Sequence, residues 1–191
     1  MILGITGGTG CGKTTLLACI REAGGEVMDC DAIYHELLRT DTAMLSAIEA
    51  RFPGTVEDGG RNLKKLGALV YKDPKAMADL NAITHACVRR EVEKTLAQKP
   101  KLAAIDAIAL FESGLDGLCD VTVAVTAPLE DRVRRLMARD SIPESYARSR
   151  IAAQHEEAWF REKCTYTLEN NGTQSHFRER CLAFLRNLCI I

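Results

Sequence analysis

At 191 residues, against about 150 residues for an average domain, the chain is expected to be one domain enlarged by an insertion rather than two independent ones. Its 47% hydrophobic and 27% charged content is that of a globular protein and excludes the disordered, collagenous and low-complexity classes. Lys plus Arg total 25 against 26 Asp plus Glu, a net charge of -1; this gives no overall pull toward nucleic acid or an anionic membrane, so any anion site must be local.

Met1 to Thr6 is a short apolar run closed by glycines, the pattern of a buried parallel strand. Leu16, Leu17, Ile20 and Ala23 then recur at helical spacing from Lys13, and Gly24-Gly25 supplies the stop. Glu26 to Asp29 reads as a second strand and Ala32 to Leu38 as a second helix, so the chain opens β-α-β-α and implies a parallel sheet. From Ala43 to Gln98 the pattern is helical with no strand, and Asp73-Pro74 caps and starts a helix running to about Gln98. This stretch reads as a helical insertion.

Ala103 to Ala109 and Val121 to Thr126 return to strand, and Pro128 opens a helix to about Arg139. Ser141-Ile142-Pro143-Glu144 has the form of a capping box, predicting a helix from Ile142 to about His155. Tyr166 to Leu168 is a weak last strand, Asn170-Asn171-Gly172 a turn, and Gln174 to Leu188 a closing amphipathic helix. No apolar run approaches the roughly 20 residues of a membrane span. Met1 is followed by Ile2-Leu3-Gly4-Ile5 without a basic region or a small-residue cleavage site, which predicts a cytoplasmic protein. The eight cysteines, at 11, 19, 30, 87, 119, 164, 181 and 189, include no C-x-x-C pair. The expectation is reduced, mostly buried thiols rather than a disulfide framework or zinc site.

Gly7-Gly8-Thr9-Gly10-Cys11-Gly12-Lys13-Thr14 fits G-x-x-x-x-G-K-[ST], the phosphate-binding P-loop, between a strand and a helix as the motif requires. Glycines let the backbone wrap so that N–H groups meet phosphate oxygens at the positive end of a helix. The nucleotide-binding set is Gly8, Gly10, Cys11, Gly12, Lys13, Thr14 and Thr15. Lys13 reaches the β- and γ-phosphates of ATP and the Thr14 hydroxyl is the Mg²⁺ ligand. Cys11 stands where a thiol reagent or oxidant would block ATP.

Asp29 and Asp31 flank Cys30 at the end of the second strand, on the crevice side of an open α/β sheet. A carboxylate there can accept a proton from an attacking hydroxyl or orient it; for Asp31 the competing reading is a helix N-cap. Six arginines, at 132, 134, 135, 139, 148 and 150, read either as a solvated face or as a mobile lid that neutralises the transferring phosphate and excludes water. The lid favours a small-molecule kinase over a switch NTPase. No N-K-x-D motif and no strand leading into D-x-x-G supports the regulatory alternative. A kinase acting on a nucleoside, nucleotide or shikimate-like alcohol is the nearer rival, separated by acceptor choice.

Taken in order and spacing, these motifs resemble the dephospho-coenzyme A kinase family over essentially the whole chain. The resemblance is carried by Ile5 to Thr14, Met28-Asp29-Cys30-Asp31, Leu80-Asn81-Ala82-Ile83-Thr84-His85, Leu110-Phe111-Glu112, Arg135-Leu136-Met137-Ala138-Arg139-Asp140, Arg150-Ile151-Ala152-Ala153-Gln154 and Asn170-Asn171-Gly172. It implies a P-loop kinase fold of the α/β class: a five-stranded parallel sheet flanked by helices, with a helical substrate-binding insertion and a lid. The core would be 1–60, 100–138 and 156–191, the coenzyme A region 61–99 and the lid 139–155. The implied reaction moves the γ-phosphoryl of ATP, with Mg²⁺, to the ribose 3′-hydroxyl of dephospho-coenzyme A, with no nucleic-acid or membrane partner.

By resemblance, Lys13, Asp31 and Arg139 are the catalytic residues, Asp31 as base or hydroxyl-orienting group and Arg139 as the charge-stabilising lid residue. Asp31, His85 and Glu112 are the substrate-binding candidates. His85 stays open between substrate contact and a structural role, Glu112 between substrate contact and helix capping, and Asp106 between a Mg²⁺-side carboxylate and packing. Cys11 replaces the family's usual serine, Ala86 its proline after His85, Ile108 the start of its Pro-Leu-Leu stretch and Leu63 an arginine.

Overall fold

A computed structural model describes residues 1–57, 60–61 and 63–190. Asp58, Gly59, Asn62 and Ile191, which fall within the expected segments 1–60, 61–99 and 156–191, lie outside the described residues, as do the side chains of Glu57, Arg61 and Leu63. The chain falls into two compact units, one of residues 1–28 with 99–191 and one of residues 29–98.

The first unit is built on a five-stranded parallel sheet: β1 (Ile2–Thr6), β2 (Glu26–Asp29, its last residue in the second unit), β5 (Ala103–Asp106), β6 (Val121–Thr126) and β7 (Tyr166–Glu169), in the order β2-β5-β1-β6-β7. β1 lies between β5 and β6, with Ile5 opposite Asp106 on one side and Val123 on the other. The chain leaves β1 toward one edge and later crosses to the other, so the carboxyl end of β1 is a topological switch point, where α/β folds bind ligands. Alternation along β1 sends Leu3 and Ile5 into the core formed with α1 (Lys13–Glu22) and α9 (Gln174–Asn187), through Leu16, Ile20, Phe177, Cys181 and Leu185. A side chain at Gly4, on the opposite face, would collide with Leu110 and the Cys119 thiol. Thr173 caps α9 by accepting from the His176 N–H at 3.2 Å.

After β6, α6 (Leu129–Asp140) and α7 (Glu144–Ala152) pack through Val133, Leu136, Ala147 and Ile151, and α8 (Glu157–Lys163) precedes β7. The expected capping box does not form. Pro143 holds Ile142 out of the helical region, so α7 starts two residues later at Glu144 with no side-chain cap. Ser141 takes a left-handed conformation (φ 53°) and ends α6 instead. The helix expected to reach His155 stops at Ala152, and β5 is shorter than expected, ending at Asp106 before a run of turns.

In the second unit, α5 (Pro74–Leu96) is the packing partner of α2 (Cys30–Thr40), α3 (Thr42–Arg51) and α4 (Leu63–Lys72). Asp73 caps α5 by accepting from the Lys75 N–H at 2.9 Å, with Pro74 at the first helical position as the sequence predicts. The strandless expectation is corrected by a minimal hairpin, β3 (Val56–Glu57) antiparallel to β4 (Gly60–Arg61). Helix α2 begins two residues earlier than expected because Asp29 is its cap, accepting from the Ala32 N–H at 3.0 Å. Asp31 is therefore not the capping residue.

None of the eight cysteines is in a disulfide. Four are buried, three half-buried and Cys189 exposed, a more even distribution than expected. No helix among the described residues is long and apolar enough to cross a membrane.

Truncating Phe177, which is 1% exposed, should remove about 3–5 kcal/mol of stability as Phe177→Ala in urea unfolding. Tyr71→Ala, at a residue 87% exposed, should change it by less than about 0.5 kcal/mol. Equal midpoints for the two variants would contradict this assignment of the core.

Candidate functional site

The loop from Gly7 to Gly12 joins β1 to α1, and its backbone path depends on glycine. Gly12 has φ 98°, and a side chain there would collide with the Asn170 amide. The loop carbonyls are gripped in succession from outside. Arg132 Nε donates to Thr9 O at 2.9 Å, Arg135 Nη1 to Gly10 O at 3.3 Å and Cys11 O at 3.4 Å, and Asn170 Nδ2 to Cys11 O at 2.9 Å. Arg135 Nη2 also donates to Asn170 Oδ1 at 3.2 Å, so two of the three holders brace each other.

No peptide bond is cis, and in a trans peptide C=O and N–H point in opposite directions. Holding Thr9 O and Cys11 O outward therefore turns the N–H groups of Gly10 and Gly12 the other way, as a phosphate cradle needs. The N–H of Cys11 is used within the loop, donating to Gly8 O at 3.2 Å. The N-terminus of α1 adds its positive end.

Lys13 folds back over the loop: its Nζ donates to Gly7 O at 3.2 Å and lies 3.9 Å from Asp106 Oδ1 at the end of β5. Both side chains are largely shielded, 14% and 18% exposed. Thr14 is exposed and Thr15 half-buried in the first turn of α1. Cys11 is 1% exposed, and burial pushes its thiol up despite the nearby Lys13. It is a buried neutral thiol rather than the reactive group its sequence position suggested.

The six arginines divide. Arg132 and Arg135 hold the loop, whereas Arg134 pairs with Asp131, and Arg148 with Glu130 and Glu144. Arg139 binds Asp140 through two hydrogen bonds, of 2.6 and 3.0 Å, and Arg150 Nη1 reaches the same carboxylate at 2.7 Å. These contacts, Arg139's foremost, lower the Asp140 carboxyl to about 2. The Arg139 guanidinium is 60% exposed and engaged by its own neighbour in sequence.

Glu112 Oε1 lies 2.7 Å from His155 Nε2, and the His155 ring stacks on Trp159, with centroids 3.8 Å apart and planes 8° apart. Glu112 thus caps no helix. In the second unit, Asp31 is exposed in the first turn of α2 and His85 half-buried midway along α5.

The structure thus gathers Gly8, Gly10, Cys11, Gly12, Lys13, Thr14 and Thr15 with Asp106, Arg132, Arg135 and Asn170. The individual roles of Arg132, Arg135 and Asn170 were missed from sequence. For Asn170 a signal existed: it directly follows a parallel strand, at the sheet edge where ligands bind.

The family model described as Dephospho-CoA kinase matches residues 1–176 of this chain. A dephospho-CoA kinase of Anaeromyxobacter dehalogenans is 36% identical over 194 residues, covering 97% of this chain and 92% of its own. One of Thermus thermophilus is 34% identical over 189 residues, covering 98% and 92%. A crystal structure of a Thermus thermophilus protein, 34% identical, superposes with a TM-score of 0.82 over 98% of this chain and 97% of that one.

Removing one holder should loosen the cradle. Asn170 is 5% exposed, and Asn170→Ala should weaken ATP binding about tenfold through loss of a buried hydrogen bond. Titration calorimetry would measure this, with circular dichroism unchanged. Unaltered ATP affinity would mean that the carbonyl grip does not set the loop's geometry.

Proposed function

The chain belongs to the dephospho-CoA kinase family, and from that premise we propose how its residues divide the transfer of the γ-phosphoryl of ATP to the ribose 3′-hydroxyl of dephospho-coenzyme A. Dephospho-CoA kinase activity is the final step of coenzyme A synthesis. The observation that carries the reading is the loop itself: outward-held carbonyls, inward N–H groups and a shielded Lys13 ammonium at one end. That arrangement suits a chain of phosphates rather than any neutral ligand.

Phosphoryl transfer needs little covalent chemistry from the protein; positioning and charge neutralisation dominate. The N–H groups of Gly10 and Gly12 and the start of α1 hold the β-phosphate, and Lys13 exchanges Gly7 O for β- and γ-phosphate oxygens. Asp31 accepts or orients the proton of the attacking hydroxyl. Its support is its place directly after β2 together with Asp29's use as the cap, which leaves the Asp31 carboxylate without that structural duty. Arg139 leaves Asp140 to stabilise charge on the moving phosphoryl. Residues 61–99 serve the coenzyme A part of the acceptor, with His85 and Glu112 as contacts, and 139–155 act as the lid.

Mg²⁺ suits the donors present. The described residues form no cluster of three or more His, Cys, Asp or Glu, but Mg²⁺ bound with nucleotide needs only one or two protein oxygens beside phosphates and water. The Thr14 hydroxyl, with the Asp106 carboxylate in support, supplies them. When bound, the ion would neutralise charge on the β- and γ-phosphates.

With ATP and Mg²⁺, the protein should convert dephospho-coenzyme A to a product phosphorylated on the 3′-oxygen, as read by ³¹P NMR or mass spectrometry. Lys13→Ala should retain less than about a tenth of kcat. Faster turnover of shikimate or a nucleoside would instead point to another small-molecule kinase. Asp31→Asn should leave ATP affinity intact and lower kcat, and an effect confined to KM would remove Asp31 from the chemistry.

A further inference from the structure

Gln154 is the second residue after α7. Its Oε1 accepts from the backbone N–H of Thr9 at 2.8 Å and from Arg132 Nη2 at 3.4 Å, while Arg132 Nε donates to Thr9 O at 2.9 Å. The three groups close a ring around one loop residue. Gln154 holds its N–H, Arg132 holds its C=O, and the two holders are bonded to each other.

Thr9 and Arg132 are each 8% exposed, so water is a poor substitute for a lost acceptor, and removing Oε1 would leave buried donors unsatisfied. Arg132 forms no ion pair among the described residues and donates to two neutral oxygens, Thr9 O and Gln154 Oε1. The Arg132 guanidinium also lies against Gly8, where a side chain would collide with it. Lys13 Nζ turns back to Gly7 O, two residues from Thr9. The ring therefore borders the end of the loop where a P-loop lysine meets the β- and γ-phosphates.

We propose that Gln154 is a positioning residue for phosphoryl transfer: by holding the Thr9 N–H and Arg132 it fixes the γ-phosphate end of the loop and ties that geometry to the seating of α7. The inference rests on the phosphoryl-transfer reading above. Gln154 touches the loop and not the reacting atoms, so its loss should act on rate through alignment, since small displacements of reacting groups slow transfer sharply.

Two variants separate the acceptor from the packing. Gln154→Met keeps the length and apolar stem but removes the oxygen, and Gln154→Glu keeps an acceptor within the same reach. For Gln154→Met, kcat should fall about tenfold or more, with KM for dephospho-coenzyme A changed by less than about twofold. The Thr9 amide proton should move upfield in a ¹H–¹⁵N spectrum recorded without substrate. Gln154→Glu should return that resonance toward its original position and recover most of the lost kcat. Wild-type kcat in Gln154→Met, a loss confined to KM for dephospho-coenzyme A, or a Glu variant no better than Met would each overturn the proposal. An unmoved Thr9 resonance in Gln154→Met would do the same. Failure of the wild-type protein to phosphorylate dephospho-coenzyme A would instead overturn the functional reading, because the resonance test needs no turnover.

Discussion

A backbone that must point its N–H groups at an anion has to point its carbonyls somewhere else, and the rest of the active-site architecture follows from that constraint. Buried carbonyls need donors. Here Arg132 and Arg135 from α6 and Asn170 from the end of β7 supply them to Thr9, Gly10 and Cys11. Two separate stretches of the chain therefore converge on the back of a short loop. The parallel sheet brings the carboxyl ends of β1, β6 and β7 to one edge, and that juxtaposition makes the convergence possible.

The same arrangement sorts the arginines by role. Four of the six are matched by carboxylates close in sequence: Asp131, Asp140, Glu130 and Glu144. Their field is local and largely cancelled. Arg132 and Arg135 hold neutral oxygens, so their charge adds to that of Lys13 and the start of α1 at the loop. A chain of net charge -1 thereby concentrates positive potential at one place without an overall basic surface.

The features legible in sequence were those encoded within a few residues. The phosphate loop, the Asp73-Pro74 helix start and the strands flanking the loop follow from local spacing and backbone preference. The capping box failed for an equally local reason: Pro143 constrains Ile142 more strongly than Ser141 and Glu144 can compensate. The sequence reads Asp31 either as a cap or as a base; the helix starts at Cys30, directly after the strand, and takes Asp29 as its cap instead. The jobs of Arg132 and Gln154 were not legible, because each depends on a partner more than a hundred residues away in sequence, and Asn170, whose partner is as distant, offered only its place after a strand. A run of arginines looks alike on any helix until the fold decides which of them meet carbonyls and which meet carboxylates.

Trp159 is the chain's only tryptophan, and its ring lies flat on His155 at 3.8 Å, one residue beyond the glutamine that holds the phosphate loop. Indole emission responds to the groups packed on the ring, so the tryptophan fluorescence reports on one side chain, stacked on His155 and edge-on to Phe111 and Phe160. The molecule carries its own optical gauge of this segment. Any ligand that shifts the turn between α7 and α8 would be seen as a change in light, with no label attached.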